Sequence, residues 1–226
     1  MNESGFEKLS AAAVRIVGEY ARLRWSCHSN TPNMTALILG LVLFLGIHSA
    51  RIVADGTRSA FIAQRGPNAW KGLYTVLSLA GFALLVWGYG MARQQPTVLW
   101  AAPPVWTKHV AALLTLIAFV LVTAAYVPGN GIKARLHHPM TLGVKVWAFA
   151  HLVANNTLAD LLLFGGFLVW SIVLFASARR RDRAAGTGYA PGNASSTVLT
   201  VVVGVVLWAV FAFWAHGWLF GVRPFG

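Results

Sequence analysis

Cysteine is nearly missing from this chain. Cys27 is the only one among 226 residues, so no internal disulfide can form and no CxxC metal or redox motif exists. Any cofactor must therefore be held by other ligands. Carboxylates are almost as scarce, with six Asp and Glu against eighteen Lys and Arg, and no pair of acids is placed for general acid–base work. A Walker loop, a GxSxG elbow and an HExxH helix are also absent. Hydrolysis and phosphoryl transfer have nothing to rest on. Charged residues of all kinds make up only 11% of the sequence, where a soluble domain carries about a quarter. No Pro/Gly/Ser-rich linker divides the chain into two units.

What is there instead is apolar: 57% of the residues, gathered in long runs. A bilayer-spanning helix needs ~20 mostly apolar residues, because each adds ~1.5 Å of rise across ~30 Å of hydrocarbon. Six stretches meet or approach this, from about Thr35 to Ala54, Gly72 to Ala92, Trp106 to Val127, Thr141 to Asn155, Leu158 to Ala178 and Thr197 to Phe220. The fold class is therefore all-α, a polytopic membrane helix bundle of about six transmembrane helices embedded in a lipid bilayer. The fourth stretch is short and ends in Asn155-Asn156-Thr157, which predicts a tight hairpin with the fifth. Thr157 and Asp160 have the spacing of a capping pair.

A net charge of +12 would suggest nucleic acid in a soluble protein. The cations instead form short clusters between apolar runs, and no basic face carries aromatics to stack bases, so nucleic acid is not an expected partner. Arg51, Arg58, Arg65 and Lys71 surround the first loop, Lys133 and Arg135 the third, and Arg179, Arg180, Arg181 and Arg183 the fifth. The positive-inside rule places these loops in the cytoplasm and both termini outside, as in a multi-pass protein of the bacterial inner membrane. Trp70, Trp100, Trp106, Trp214 and Trp218 fall at span ends, where interfacial anchors belong.

Residues 1–33 differ from the rest. Phe6, Leu9, Ala13, Ile16 and Tyr20 recur at helical steps, which describes an amphipathic helix able to lie in the interface. Met34-Thr35 stands directly before the first span and would make a natural start. Residues 1–33 are accordingly read as an N-terminal extension, with 34–226 as the transmembrane domain. No internal repeat is evident, which weighs against a transporter built on inverted halves.

Seven histidines remain, and ionisable groups inside spans mark function because they are costly to bury. His48 is expected about two turns inside the first span and His151 well inside the fourth, differing in depth by about one turn. Neutral imidazole ligates haem iron, and two helices presenting one each can hold a haem in a bundle. Such histidines can equally be interhelical hydrogen-bonding groups. Arg51, three residues after His48, is a candidate partner for haem propionates, with Arg58 as a second; Arg51 could also simply snorkel to headgroups. His138, Asn155 and Asp160 are candidates to support the pair. His137-His138 opens the fourth span, with Pro139 at the first helical position. His109 and His216 lie near interfacial tryptophans.

Several stretches look like one family. They are Leu43 to Arg51 (Leu-Phe-Leu-Gly-Ile-His-Ser-Ala-Arg), Gly66 to Tyr74 (Gly-Pro-Asn-Ala-Trp-Lys-Gly-Leu-Tyr), Tyr126 to Asn130 (Tyr-Val-Pro-Gly-Asn), His138-Pro139-Met140, and Gly143 to Leu152 (Gly-Val-Lys-Val-Trp-Ala-Phe-Ala-His-Leu). From Met34 onward the chain resembles the NnrU family of bacterial membrane proteins, named for a link with nitrite and nitric oxide reduction. That family is similar to the 15-cis-ζ-carotene isomerases of plastids and cyanobacteria, membrane haem b enzymes that isomerise one double bond of a polyene. The resemblance implies haem b as cofactor and metal ligation by His48, in Ile-His-Ser, and His151, in Trp-x-x-x-His. His138-Pro139 matches the His-Pro motif between them. One departure matters: the plant isomerases have a cysteine three residues before the second histidine, where this chain has Ala148, so thiolate ligation is excluded. Two functions follow as expectations. One is a redox or electron-transfer haem protein linked to denitrification and served by a redox partner protein. The other is a haem-dependent cis–trans isomerase acting on an apolar polyene substrate.

Overall fold

The computed structural model describes residues 31–225. The amphipathic pattern in residues 1–33 lies almost wholly outside them. Every regular element among the described residues is helical, and β pairing is limited to the isolated bridges Val98–Thr157 and Asn130–Asn193. In chain order the helices are α1 (Thr31–His48), α2 (Ala50–Val53), α3 (Asp55–Ala92), α4 (Val105–Tyr126), α5 (Gly131–Leu136), α6 (Pro139–Ala154), α7 (Leu158–Ala184) and α8 (Ala194–Val210). A π turn at Phe211–Ala215 joins α8 to α9 (His216–Phe220).

Four helical stretches are long and apolar enough to cross a membrane: Asp55–Ala92, Val105–Tyr126, Leu158–Ala184 and Ala194–Phe220. Met34–His48 and Pro139–Ala154 are apolar but shorter. Together they account for the six expected spans. The first loop differs from expectation, because residues 55–66 continue as helix into α3. Gly66, with φ +82°, breaks the regular backbone there, and Pro67 follows it. Pro67 has no N–H to give and restricts its predecessor to extended ψ, so a glycine at the bend avoids the strain of a Cβ.

Size is distributed as a bilayer demands. Leu39, Val42, Val76, Leu79, Leu113, Val169, Val202 and Val206 face outward. The buried set is rich in small residues, including Ala92, Ala118, Ala124, Ala148, Ala150, Ser171 and Thr200. Lipid is as apolar as leucine, so helices gain by close backbone approach instead of by hiding large side chains. Gly40 of α1 meets Leu85 of α3, Gly81 and Gly88 of α3 meet Phe44 and Leu37 of α1, and a Cβ at any of the three would strike main chain. Gly143 lets α6 lie on α4, and Gly204 lets α8 lie on α4.

These contacts set the helices in the spatial order α3, α1, α7, α6, α4, α8. α7 joins the α1–α3 pair to the rest. The predicted hairpin between α6 and α7 is present, turning through Asn155, Asn156 and Thr157. Thr157 and Asp160 form the capping box: the Thr157 hydroxyl accepts from Asp160 N–H, and the Asp160 carboxylate accepts from Thr157 N–H, both at 3.3 Å. The loop after α3 is pinned to this turn by Leu99 N–H on Asn156 O and Leu158 N–H on Thr97 O.

Candidate functional site

His48 is the last residue of α1, not two turns inside a span. Where the helix breaks at Ser49, side chains bond back to carbonyls of its final turn. His48 Nδ1–H donates to Phe44 O at 2.7 Å, and the Ser49 hydroxyl donates to Leu45 O at 2.7 Å. Such back-bonding competes with the main-chain ladder and bends helices.

His151 is held in the same way on α6. Its Nδ1–H donates to Trp147 O at 2.9 Å, and its ring lies on Phe164 with centroids 4.5 Å apart. In both residues the carbonyl can only accept, so the proton sits on Nδ1 and Nε2 keeps its lone pair. Neither Nε2 receives a hydrogen bond from the described residues. A metal-ligating imidazole usually donates its other N–H to a carbonyl or carboxylate in this manner. As donors, the two rings suit iron.

Their separation suits it less. α1 and α6 do not pack together; α7 lies between them. A row of aromatic rings fills the ground from one imidazole to the other. Phe44 is 4.3 Å from His48, Phe167 is 5.9 Å from Phe44, Trp147 is 5.6 Å from Phe167, and His151 is 5.1 Å from Trp147. His48 lies beside Trp170 and His151 on Phe164, six positions apart on α7. That corresponds to ~9 Å of depth, nearer two turns than the expected one. A single macrocycle sandwiched by both imidazoles is not accommodated by this packing.

Two cavities flank the short helix α2. One, of about 370 Å³, is lined by His48, Arg51, Arg58, Lys71, Arg181 and Tyr74 among others. Arg51 thus shares a cavity with His48, as its spacing suggested. Lys71 and Arg181 figured in the sequence only as loop charges, and Tyr74 only as part of a family stretch. The other, of about 550 Å³, is an open apolar groove walled by Ile52, Val53, Leu161, Leu162, Val169 and Val173, with Ser49, Trp170 and the glycines 165 and 166 completing it.

The supporting residues fall in three different places. Asn155 donates from Nδ2 to His151 O at 2.8 Å, touching the main chain of the ligand candidate and not its ring. Asp160 is buried and, besides its cap, accepts a 2.6 Å bond from the Tyr89 hydroxyl. Tyr89 in turn packs edge-on against Phe164, the ring beneath His151. His138 is not near His151, since α6 carries it thirteen residues, or ~20 Å, away. Its Nε2 bonds Asp182 at 2.7 Å, and the Tyr189 hydroxyl donates to the same carboxylate oxygen at 2.9 Å. His137 stacks on Tyr189 at 4.0 Å and adopts φ +67°. His216, expected at the interface, is half-buried, and its Nδ1 bonds Val222 O.

No curated protein and no solved structure matches the chain. A family model described as NnrU protein matches residues 36–224, a range that takes in His48, His151 and both cavities. The chain belongs to the NnrU family.

Proposed function

We propose that this NnrU protein is a haem b-binding protein of the bacterial inner membrane, with a redox or electron-transfer role in nitrite and nitric oxide metabolism. The observation that carries the reading is the matched anchoring of His48 and His151. Each spends Nδ1 on its own helix and leaves Nε2 with its lone pair free of a hydrogen bond among the described residues. Bound haem would supply one-electron chemistry at a potential set by these ligands and their burial. The protein's own part is to fix the tautomers, exclude water with the aromatic row and hold the ligands on separate helices. Phe44, Phe167 and Trp147, together with α7 itself, stand between the two rings, so a haem held in this packing would take one of the two as its ligand.

An absorption spectrum of detergent-purified protein from haem-supplemented cells tests this. Wild type should show the reduced bands of a b-type centre. His48→Ala should be colourless, His151→Ala should keep a five-coordinate haem, and Phe167→Ala should take up haem at least as readily as wild type. A colourless wild type ends the reading.

The second reading, isomerisation of an apolar polyene, is favoured by the open apolar groove beside Trp170. Ala148, buried where the plant enzymes have cysteine, counts against it. Conversion of a 15-cis polyene by the reconstituted protein, followed by chromatography, separates the two functions.

A further inference from the structure

We infer that the apolar groove along α7 is a binding site for a membrane quinone, its ring seated beside Ser49 and Trp170 and its isoprenoid tail lying towards Leu161. The inference deepens the redox reading by naming a lipid-soluble partner. It rests on that reading for its purpose, whereas binding itself requires no haem. The groove, about 550 Å³ in volume, has the size of a small-molecule site, ~300–1,000 Å³. Ser49 and Trp170 supply the polar side chains of its lining, and no charged residue is among them. Both stand at the His48 end: Ser49 follows His48 in the chain, and Trp170 meets the imidazole edge-on at 6.1 Å. The Ser49 hydrogen is committed to Leu45 O at 2.7 Å, so this hydroxyl has lone pairs to offer. The Trp170 N–H can only donate, and it is buried with no acceptor among the described residues. An orphaned donor inside a membrane is costly, and a carbonyl oxygen brought to that indole removes the cost.

These two polar groups select among apolar occupants. A hydrocarbon polyene has neither acceptor nor donor and leaves the indole N–H unpaired. A phospholipid brings a phosphate, and no cation lines the groove to receive it. A quinone is flat and apolar and carries an oxygen on each side of its ring. Its oxidised form accepts from Trp170, and its reduced form can also donate to Ser49. The rest of the groove fits a ring and a tail. Leu162, Gly166, Val169 and Val173 recur at three- and four-residue steps and so form one stripe of α7. Its floor is bare, since a Cβ at Gly165 would meet only the Leu161 side chain, at 3.9 Å. From Trp170 to Leu161 is nine residues, or ~13 Å along the helix axis. That length holds the first part of an isoprenoid tail. Val169 is 63% and Val173 43% exposed, on a helix long enough to cross a membrane. A molecule dissolved in hydrocarbon therefore reaches the groove without passing through water.

In the test, full-length protein is purified in mild detergent from membranes enriched in ubiquinone, and the quinone it retains is counted by chromatography of an organic extract. Wild type should retain a stoichiometric quinone, and added decylubiquinone should raise its thermal midpoint. Trp170→Phe keeps a ring and loses the N–H, and should retain about fivefold less, the worth of one neutral hydrogen bond. Val169→Trp fills the groove from its exposed position and should abolish retention. Val202→Trp, also at an exposed position but on α8, should behave as wild type. Midpoints of the variants without added quinone, unchanged from wild type, show that they fold. Retention by Trp170→Phe equal to that of wild type overturns the inference, and so does equal retention by Val169→Trp. An equal rise of the midpoint with squalene, which has no oxygen, would make the groove an unselective apolar surface and overturn it as well. The count reads quinone and not haem. Colourless protein that keeps its quinone therefore ends the haem reading alone, and coloured protein that keeps none ends this inference alone.

Discussion

Asp160 satisfies three donors with one carboxylate. Its Oδ1 accepts from the Tyr89 hydroxyl, and its Oδ2 from the Thr157 hydroxyl and N–H. A buried carboxylate in a membrane demands such company, since each unpaired polar group there costs several kcal/mol. Asp160→Ala removes the reciprocal half of the capping box, leaving Thr157 as the N-cap, and strands the Tyr89 hydroxyl. The expected loss is about 2–4 kcal/mol, the sum of a capping contribution and an unsatisfied hydroxyl. Tyr89→Phe should cost about 1–2 kcal/mol, and the double variant less than the two together. Unfolding in mixed micelles titrated with denaturing detergent gives all three values, and strict additivity would show that the Tyr89–Asp160 bond contributes nothing. The cap was legible in the sequence, because Thr157 and Asp160 are three apart. Tyr89 was not, because it lies 71 positions away and only the packing of α3 near α7 brings it there. The histidines divide likewise. Burial cost singled out His48 and His151, but the backbone bonds that prepare them could not be read from residue order.

At the scale of the element, glycines separate helix faces that hydropathy leaves uniform. α3 carries Gly88 towards α1, where a Cβ would strike the Leu37 and Ala36 main chain, and Gly90 two residues on, where a Cβ would meet nothing within 4 Å. Main chain cannot swing aside as a side chain does. Gly88→Ala must push α1 and α3 apart along their whole contact, with an expected cost above about 2 kcal/mol, since overpacking typically costs 1–3. Gly90→Ala should be neutral or slightly stabilising, because alanine is the better helix former. The same unfolding titration applied to both variants checks this; equal effects would mean that the α1–α3 contact is not set by Gly88. The ends of the elements were the least legible part. Ser49 and the Gly66-Pro67 bend divide an apparently simple span–loop–span region into α1, α2 and a kinked α3. Only the Gly-Pro pair announces itself, since a serine ending a helix resembles any serine within one.

Across the whole molecule the apolar runs were readable because each is about as long as a bilayer is thick. Their neighbours were not. A helix apolar on every side carries no mark of which face meets which partner, so the place of α7 between α1 and α6 had to come from the structure. That placement separates His48 from His151 and makes α2 the hinge of two cavities. Charge does survive at this scale. His48, Arg58, Lys71, Arg181 and the His138–Asp182 pair gather at one end of the bundle, whereas the loop of residues 93–104 caps the other. Translocating each Lys or Arg across the membrane opposes the potential, so the basic end should face the cytoplasm. In a Cys27→Ser background, Thr187→Cys lies in the exposed stretch after α7 and Ala101→Cys in the exposed loop after α3. An impermeant maleimide applied to intact spheroplasts should label position 101 and leave position 187 unmodified until the membrane is opened. The reverse pattern would put the cationic cavity at the periplasmic leaflet. Equal labelling of both positions in intact spheroplasts would mean that the basic end does not fix the orientation of the chain.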